Sequence, residues 1–316
     1  MGCREFTFLS ADGKTAIHAA EWMPEGTPRA VLQIVHGVSE HILRYEPFAE
    51  YLTAHGFAVV GHDHLGHGTT VTPGAPRLYF GPKGSWDWVV QDVETLRKLS
   101  RERFPELPYF LLGHSMGSFL ARTHLIRHPG VTDGAVIMGT GQMAPLLIKG
   151  GRAVAAIESQ RVGEEHGSPL VQALSFKPYN KIFAPNRTGF DWLSVNEENV
   201  DSYISHPLCG GNPSIGLFRE MLWGMGFIAK PEQLKRMDVT TPILFISGGM
   251  DPVGDLGKGV QRVKKQLDAA GMKNVSLHLL PGARHMVLNE KQSSAASQAL
   301  AILVEWLLLP DIFRPF

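Results

Sequence analysis

Short apolar runs bounded by turn residues alternate along this chain with segments whose apolar positions recur every three or four residues. Glu5 to Trp22 alternates in the manner of strands and is broken by Asp12-Gly13, which predicts a hairpin. Ala30 to Val35 reads as a buried strand that ends in His36-Gly37. A helix follows from about Tyr45 to His55, stopped by Gly56, and Phe57 to Val60 is the next strand. Trp86, Val89, Val93 and Leu96 mark one face of a helix that runs to about Arg103. The apolar run from Tyr109, a helix from Phe119 to Ile126 and a strand from Ala135 to Met138 continue the rhythm.

From about Gly141 to Met237 the alternation stops, leaving helical patches, aromatic clusters and many turn residues. It resumes with a strand over Pro242–Ser247, a helix from Gly259 to Ala270 stopped by Gly271, and a strand over Val275–Leu280. The run from Leu300 to Leu309 closes the chain as a helix; Glu305 interrupts it, and it is too short to span a bilayer. Strands alternating with helices predict a mostly parallel sheet of about eight strands, covered on both faces. The expected organisation is an α/β domain over residues 1–140 and 238–316, with 141–237 inserted after the sixth strand.

Composition excludes some classes. The 30 basic residues balance the 30 acidic ones, which gives no reason to expect nucleic acid as a partner. Cys3 and Cys209 are too few for a disulfide framework and fit a reducing compartment. The N-terminus has no apolar core of signal-peptide length, and Phe6 stands where a myristoylation signal needs Ser or Thr. The expected location is cytoplasmic.

Chemistry concentrates at Gly113-His114-Ser115-Met116-Gly117, a G-x-S-x-G placed between a predicted strand and a predicted helix. That context is the one a nucleophile elbow needs: a sharp turn lifts the serine hydroxyl above the sheet, and glycines two residues to either side let strand and helix close. Among 34 glycines the motif could arise by chance, so its partners matter. A serine hydroxyl needs a base to take its proton and an acid to orient that base. Asp251 follows the strand ending at Ser247, and His285 follows the strand ending at Leu280. Both lie where catalytic groups of parallel sheets gather, past the carboxyl ends of strands. Read alone, Asp251 is a turn residue before Pro252 and His285 a loop histidine. Asp255 is a competing acid, ranked lower because it comes later after the strand. The backbone N–H groups of Val38 and Met116 are the expected oxyanion donors. His62-Asp63-His64-Leu65-Gly66-His67 invites a metal reading, but no second ligand set accompanies it, and Asp63 is better read as shaping its loop by hydrogen bonding.

Taken together, His36-Gly37-Val38-Ser39-Glu40-His41 with Arg44-Tyr45, Asp63-His64-Leu65-Gly66-His67-Gly68, the Ser115 elbow, Phe190-Asp191-Trp192-Leu193-Ser194 and Asp251-Pro252-Val253-Gly254 resemble the α/β-hydrolases. Within them they resemble the monoacylglycerol lipase and lysophospholipase group, often filed with serine aminopeptidase-like hydrolases. The resemblance covers nearly the whole chain. It implies an α/β-hydrolase fold, Ser115 as nucleophile, Asp251 as acid, His285 as base, Val38 and Met116 as oxyanion donors, and 141–237 as a helical cap. Ser118 departs from it, standing where such elbows often carry a second glycine.

The expected activity is hydrolysis of a monoacylglycerol or similar single-chain acyl ester through an acyl-enzyme, without metal or organic cofactor. The expected partner is that small ester, with no obligate protein partner and with room for transient contact with lipid surfaces. Met143–Ile148 and Ala153–Ile157 could line an acyl pocket or merely pack the cap. Alternatives are a short-chain carboxylesterase, an aminopeptidase that would use acidic groups such as Glu158, Glu164, Glu165, Glu197 or Glu198 to hold an α-ammonium, and a non-catalytic ligand-binding protein.

Overall fold

The computed structural model describes residues 2–290 and 295–309; Met1, 291–294 and 310–316, which the expected domain boundaries include, lie outside them. Eight strands form one sheet in the order β1-β2-β4-β3-β5-β6-β7-β8. They are β1 (Cys3–Leu9), β2 (Ala16–Trp22), β3 (Ala30–Val35), β4 (Phe57–His62), β5 (Tyr109–His114), β6 (Gly134–Met138), β7 (Ile243–Gly248) and β8 (Val275–Leu280). The hairpin β1–β2 and the β2–β4 pair are antiparallel, and every pair from β4 through β8 is parallel.

The apolar runs are continuous because both faces of the central strands are covered. Along β5, Phe110 and Leu112 pack on one face with Phe48 and Leu52 of α1 (Glu46–Ala54), and with Leu303 and Leu307 of α11 (Ala295–Leu307). Leu111 faces the other layer, with Val89 and Val93 of α2 (Trp86–Arg103), Leu120 and Leu125 of α3 (Met116–Arg127), and Val260 and Val263 of α10 (Lys258–Ala269). Gln33, the polar residue in β3, is fully buried and satisfied: its amide donates to the Val93 carbonyl at 3.0 Å, and Tyr109 Oη donates to its oxygen at 2.6 Å. The stops at Gly56 and Gly271 have positive φ, +84° and +97°, as helix-terminating glycines do.

Between β6 and β7 the chain is helical: α4 (Pro145–Val162), α5 (Pro169–Ser175), α6 (Lys177–Lys181), α7 (Glu197–Ser205), α8 (Ile215–Phe227) and α9 (Pro231–Leu234). Its pairing among the described residues is an isolated bridge, Gly167 with Ser214. Helix α4 packs against α8, burying Ile148 and Ala155, which are seven residues apart and so share a face. No helix among the described residues is long and apolar enough to cross a membrane.

Candidate active site

Ser115 stands between β5 and α3 with φ 55° and ψ −122°. Such angles are costly for a residue with a Cβ, and here they are imposed by the closeness of strand and helix. A Cβ at Gly113 would lie 2.4 Å from the Gly117 carbonyl oxygen, and one at Gly117 would lie 1.9 Å from that of Val35. The elbow is tied to the sheet by the Ser115 amide, which donates to the Met138 carbonyl at 3.0 Å. The departure at Ser118 is accommodated by hydrogen bonds, because its hydroxyl reaches both the Ser115 carbonyl and Thr140 Oγ1.

Asp251 and His285 meet across the ends of β7 and β8. Asp251 Oδ2 lies 3.0 Å from His285 Nδ1, both side chains are buried, and the other Asp251 oxygen accepts the Val253 amide at 2.9 Å. The carboxylate can therefore hold the ring by Nδ1 and leave Nε2 for the serine side. Asp255, the competing acid, is turned outward and pairs with Arg262 at 2.9 Å. The rings of His114 and Trp192 lie against His285, with centroids 4.9 Å and 5.0 Å from its own.

Ser115, His285 and Val38 face a cavity of about 180 Å³. Its apolar wall comes from Phe176, Phe190, Trp192, Leu193 and Tyr203, with Met286 beside the histidine. This corrects the expectation for the acyl pocket: no residue of Met143–Ile148 or Ala153–Ile157 reaches the cavity. With Ile148 and Ala155 held on α8, the residues on the opposite side of α4 point outward, and Leu146, Leu147 and Ile157 are exposed.

Sequence reasoning left out a polar scaffold that orients the loop after β3. His36 Nδ1 donates to the Gly37 carbonyl at 2.7 Å while its Nε2 accepts the His64 amide at 3.2 Å. Because the peptide bond is planar and trans, fixing the Gly37 carbonyl toward His36 points the Val38 N–H the opposite way. The Gly37 amide donates to Glu40 Oε1 at 2.6 Å, and Tyr45 Oη donates to the same oxygen at 2.9 Å. His114, the x before the elbow serine, lies 3.3 Å from Glu40 by Nδ1 and 3.3 Å from the His285 carbonyl by Nε2. Burial pushes the Glu40 carboxyl up, but His114, Arg44 and His36 together hold it well below the usual carboxylate range. The one signal for this scaffold was the Glu40-His41 with Arg44-Tyr45 cluster, which carried family likeness but no assigned role.

Asp63 does shape its loop. It accepts the amides of Ile42 at 2.7 Å and Thr69 at 2.9 Å, and lies 2.9 Å from His18 Nδ1. His62 is buried with neither ring nitrogen bonded. The motif Phe190–Ser194 braces the histidine loop: the Met286 amide donates to the Leu193 carbonyl at 2.7 Å, and Glu290 accepts the Ser194 hydroxyl, the Val195 amide and the Arg284 amide. The acidic residues considered for an α-ammonium sit elsewhere. Glu158 pairs with Arg161, Glu164 with Arg219 and Glu197 with Arg187, while Glu165 and Glu198 are exposed; none lines the cavity.

Comparison with known proteins identifies the family. The chain is 28% identical over 288 residues to the monoglyceride lipase of Homo sapiens, covering 89% of this chain and 83% of that one. It is 27% identical over 297 residues to the monoacylglycerol lipase of Mycolicibacterium smegmatis, covering 91% and 92%. Among solved structures, a thermostable carboxyl esterase from Bacillus coagulans superposes with a TM-score of 0.89 at 28% identity, over 97% of this chain and 98% of that one. A family model described as "Serine aminopeptidase, S33" matches residues 26–292. A match of that span, on an α/β-hydrolase sheet, makes the chain a member of that hydrolase family.

Proposed function

We propose that the protein is a serine carboxylic-ester hydrolase acting on monoacylglycerols or similar single-chain acyl esters. The observation that carries the reading is the His285–Asp251 pair at 3.0 Å, buried beside Ser115 on an apolar cavity. In this mechanism His285 takes the Ser115 proton as the hydroxyl oxygen attacks the ester carbon, and Asp251 supports the imidazolium. The amides of Val38 and Met116 receive the oxyanion, each worth about 3–4 kcal/mol in the transition state. His285 then protonates the leaving alcohol. Water, deprotonated by the same ring, releases the acid and restores Ser115.

Relatives named as monoglyceride and monoacylglycerol lipases support ester hydrolysis. The aromatic wall from Phe176 to Tyr203 suits an acyl chain, and the engagement of the cap acids elsewhere weighs against the aminopeptidase reading. On this reading residues 141–237 act as the cap over the site. The exposed Leu146, Leu147 and Ile157 on α4 support transient contact with lipid surfaces, from which such substrates arrive.

The test is hydrolysis of monoacylglycerols and p-nitrophenyl esters of increasing chain length, with an aminoacyl anilide alongside, by wild type and Ser115→Ala. Activity on medium or long chains that vanishes in the variant is the expected result. Activity confined to acetate or butyrate esters overturns the lipase assignment, and cleavage of the anilide alone makes the protein a peptidase. Turnover that survives in Ser115→Ala overturns the mechanism.

A further inference from the structure

Next to the cavity, three donor side chains outside the proposed mechanism converge from two segments. His41 follows the loop that carries Val38, and His206 and Cys209 lie in the segment after α7. One ligand atom from each lies within 4.8 Å of the others, and the His41 and His206 rings stack with centroids 4.6 Å apart. His41 is 5% exposed, and neither of its ring nitrogens has a hydrogen-bond partner. A buried imidazole with both nitrogens unpaired is an unexplained cost unless something else engages it. His206 and Cys209 are half-buried, so the group is open to solvent on one side.

We propose that His41, His206 and Cys209 form a binding site for a zinc-class divalent cation beside the cavity. Two imidazoles and a thiol, with no carboxylate or carbonyl among them, match zinc and its neighbours and do not match magnesium or calcium. Tetrahedral coordination at ordinary Zn–N and Zn–S lengths places ligand atoms about 3.3–3.7 Å apart. Since the ligand atoms already lie within 4.8 Å of one another, side-chain movement of no more than about 1.5 Å closes them to these separations. Three protein ligands and one open position leave room for water.

Protonation favours the site at His41 and opposes it at Cys209. Burial lowers His41 to about 4, so its ring is neutral and ready to ligate. Burial pushes the Cys209 thiol up to about 11, while Arg44, whose Nη1 lies 4.0 Å from Sγ, favours the thiolate. Binding therefore releases one proton, from Cys209 to solvent, as the sulfur–metal bond forms. His206 Nδ1 accepts the Leu208 amide at 3.2 Å; ligation through Nε2 moves the ring proton to Nδ1 and gives up that bond, which weakens the site relative to a preformed one. By contrast Glu94, His124 and His128 are equally compact, but both Glu94 oxygens are already taken by Arg97 and His124.

The location gives the ion a consequence. The Gly210 amide donates to the Ser39 carbonyl at 2.9 Å, and Ser39 and Gly211 both line the cavity. A bound ion adds a further tie between these segments and restrains the loop that presents the Val38 amide.

The experiment is a Co²⁺ titration of the full chain, stripped of metal by chelator and kept reduced. The expected result is a thiolate-to-cobalt charge-transfer band with visible bands of four-coordinate intensity, saturating at one ion per chain and bleached by Zn²⁺. The band persists in Cys3→Ser and disappears in Cys209→Ser, and His206→Gln weakens cobalt affinity at least about tenfold. Circular dichroism establishes that each variant folds. Absence of a thiolate band in the wild type, or its survival in folded Cys209→Ser, overturns the proposal. So does an undiminished affinity in folded His206→Gln.

Discussion

Trp192 lies against the ring of His285, with centroids 5.0 Å apart and planes inclined by 41°. The tryptophan comes from the helical segment between β6 and β7, so that segment packs directly on the histidine. Trp192→Ala frees the ring on the side that Asp251 does not restrain. Since misplacement by about an ångström can cost a hundredfold, kcat should fall by roughly 10- to 100-fold. Trp192→Phe should retain most of the activity. Steady-state kinetics on a soluble ester would show whether both variants fall alike, which would sink this account.

Asp251 and Asp255 are four residues apart and have opposite surroundings. Asp251→Asn keeps the shape of the pair but favours the wrong imidazole tautomer, a change that costs about 10⁴ in kcat in comparable triads. Asp255→Asn only releases an exposed pair with Arg262 and should leave kcat within about twofold. A matched kinetic comparison decides it, and a large loss in Asp255→Asn would reverse the assignment.

Ser115 at φ 55° stores strain that a glycine would not. A non-glycine residue held there costs about 1–3 kcal/mol, against about 0.5–1 kcal/mol of added unfolded-state entropy for glycine. Ser115→Gly should therefore abolish turnover while raising stability by about 1 kcal/mol. Urea unfolding followed by fluorescence gives the answer, and a destabilised variant would contradict it.

Five buried histidines lie in the segments that follow β3 and close β4: His36, His41, His62, His64 and His67. Burial lowers all of them below the ordinary imidazole value, His41 to about 4 and His62 and His67 to about 3. They stay neutral in the folded chain and take up protons once unfolded. Their contribution is thus fully present above about pH 6.5 and is lost as pH falls toward their folded values. Each such group lowers the stability of the folded chain as pH falls below the ordinary imidazole value, by at most about 1.4 kcal/mol per pH unit. The expected outcome is a stability that falls between pH 7 and pH 5. His62→Leu, which removes one such group, should flatten the slope by about one proton. Urea midpoints measured from pH 7 to pH 5 test both statements, and a flat profile would refute them.

The strand and helix rhythm was legible because it is local. Runs such as Phe110–Leu112 must be apolar at every position when both faces are buried, and Gly56 and Gly271 announce their turns by conformation alone. The positions of Ser115, Asp251 and His285 were legible as well, because each follows a strand end and the parallel sheet brings those ends together. What their proximity does not encode is how each is held. The Gly37 peptide is fixed by its near neighbours His36 and Glu40, but these are held in turn by His64 and His114, 28 and 74 residues away in sequence.

The wall of the cavity was the clearest divergence. An apolar stretch such as Met143–Ile148 states only that some face will be buried. Which face it is depends on where α8 lies, and α8 takes Ile148 and Ala155, leaving the cavity to Phe176, Phe190 and Trp192. The sequence by itself determined the sheet, the elbow and the placing of Ser115, Asp251 and His285 at strand ends, since these follow from periodicity and steric necessity. Only the tertiary structure decided the lining of the cavity, the scaffold behind the loop after β3 and the convergence of His41 with His206 and Cys209. Each depends on contacts with distant segments, even where near neighbours also take part, and the free energy of those contacts depends on packing that no local pattern records.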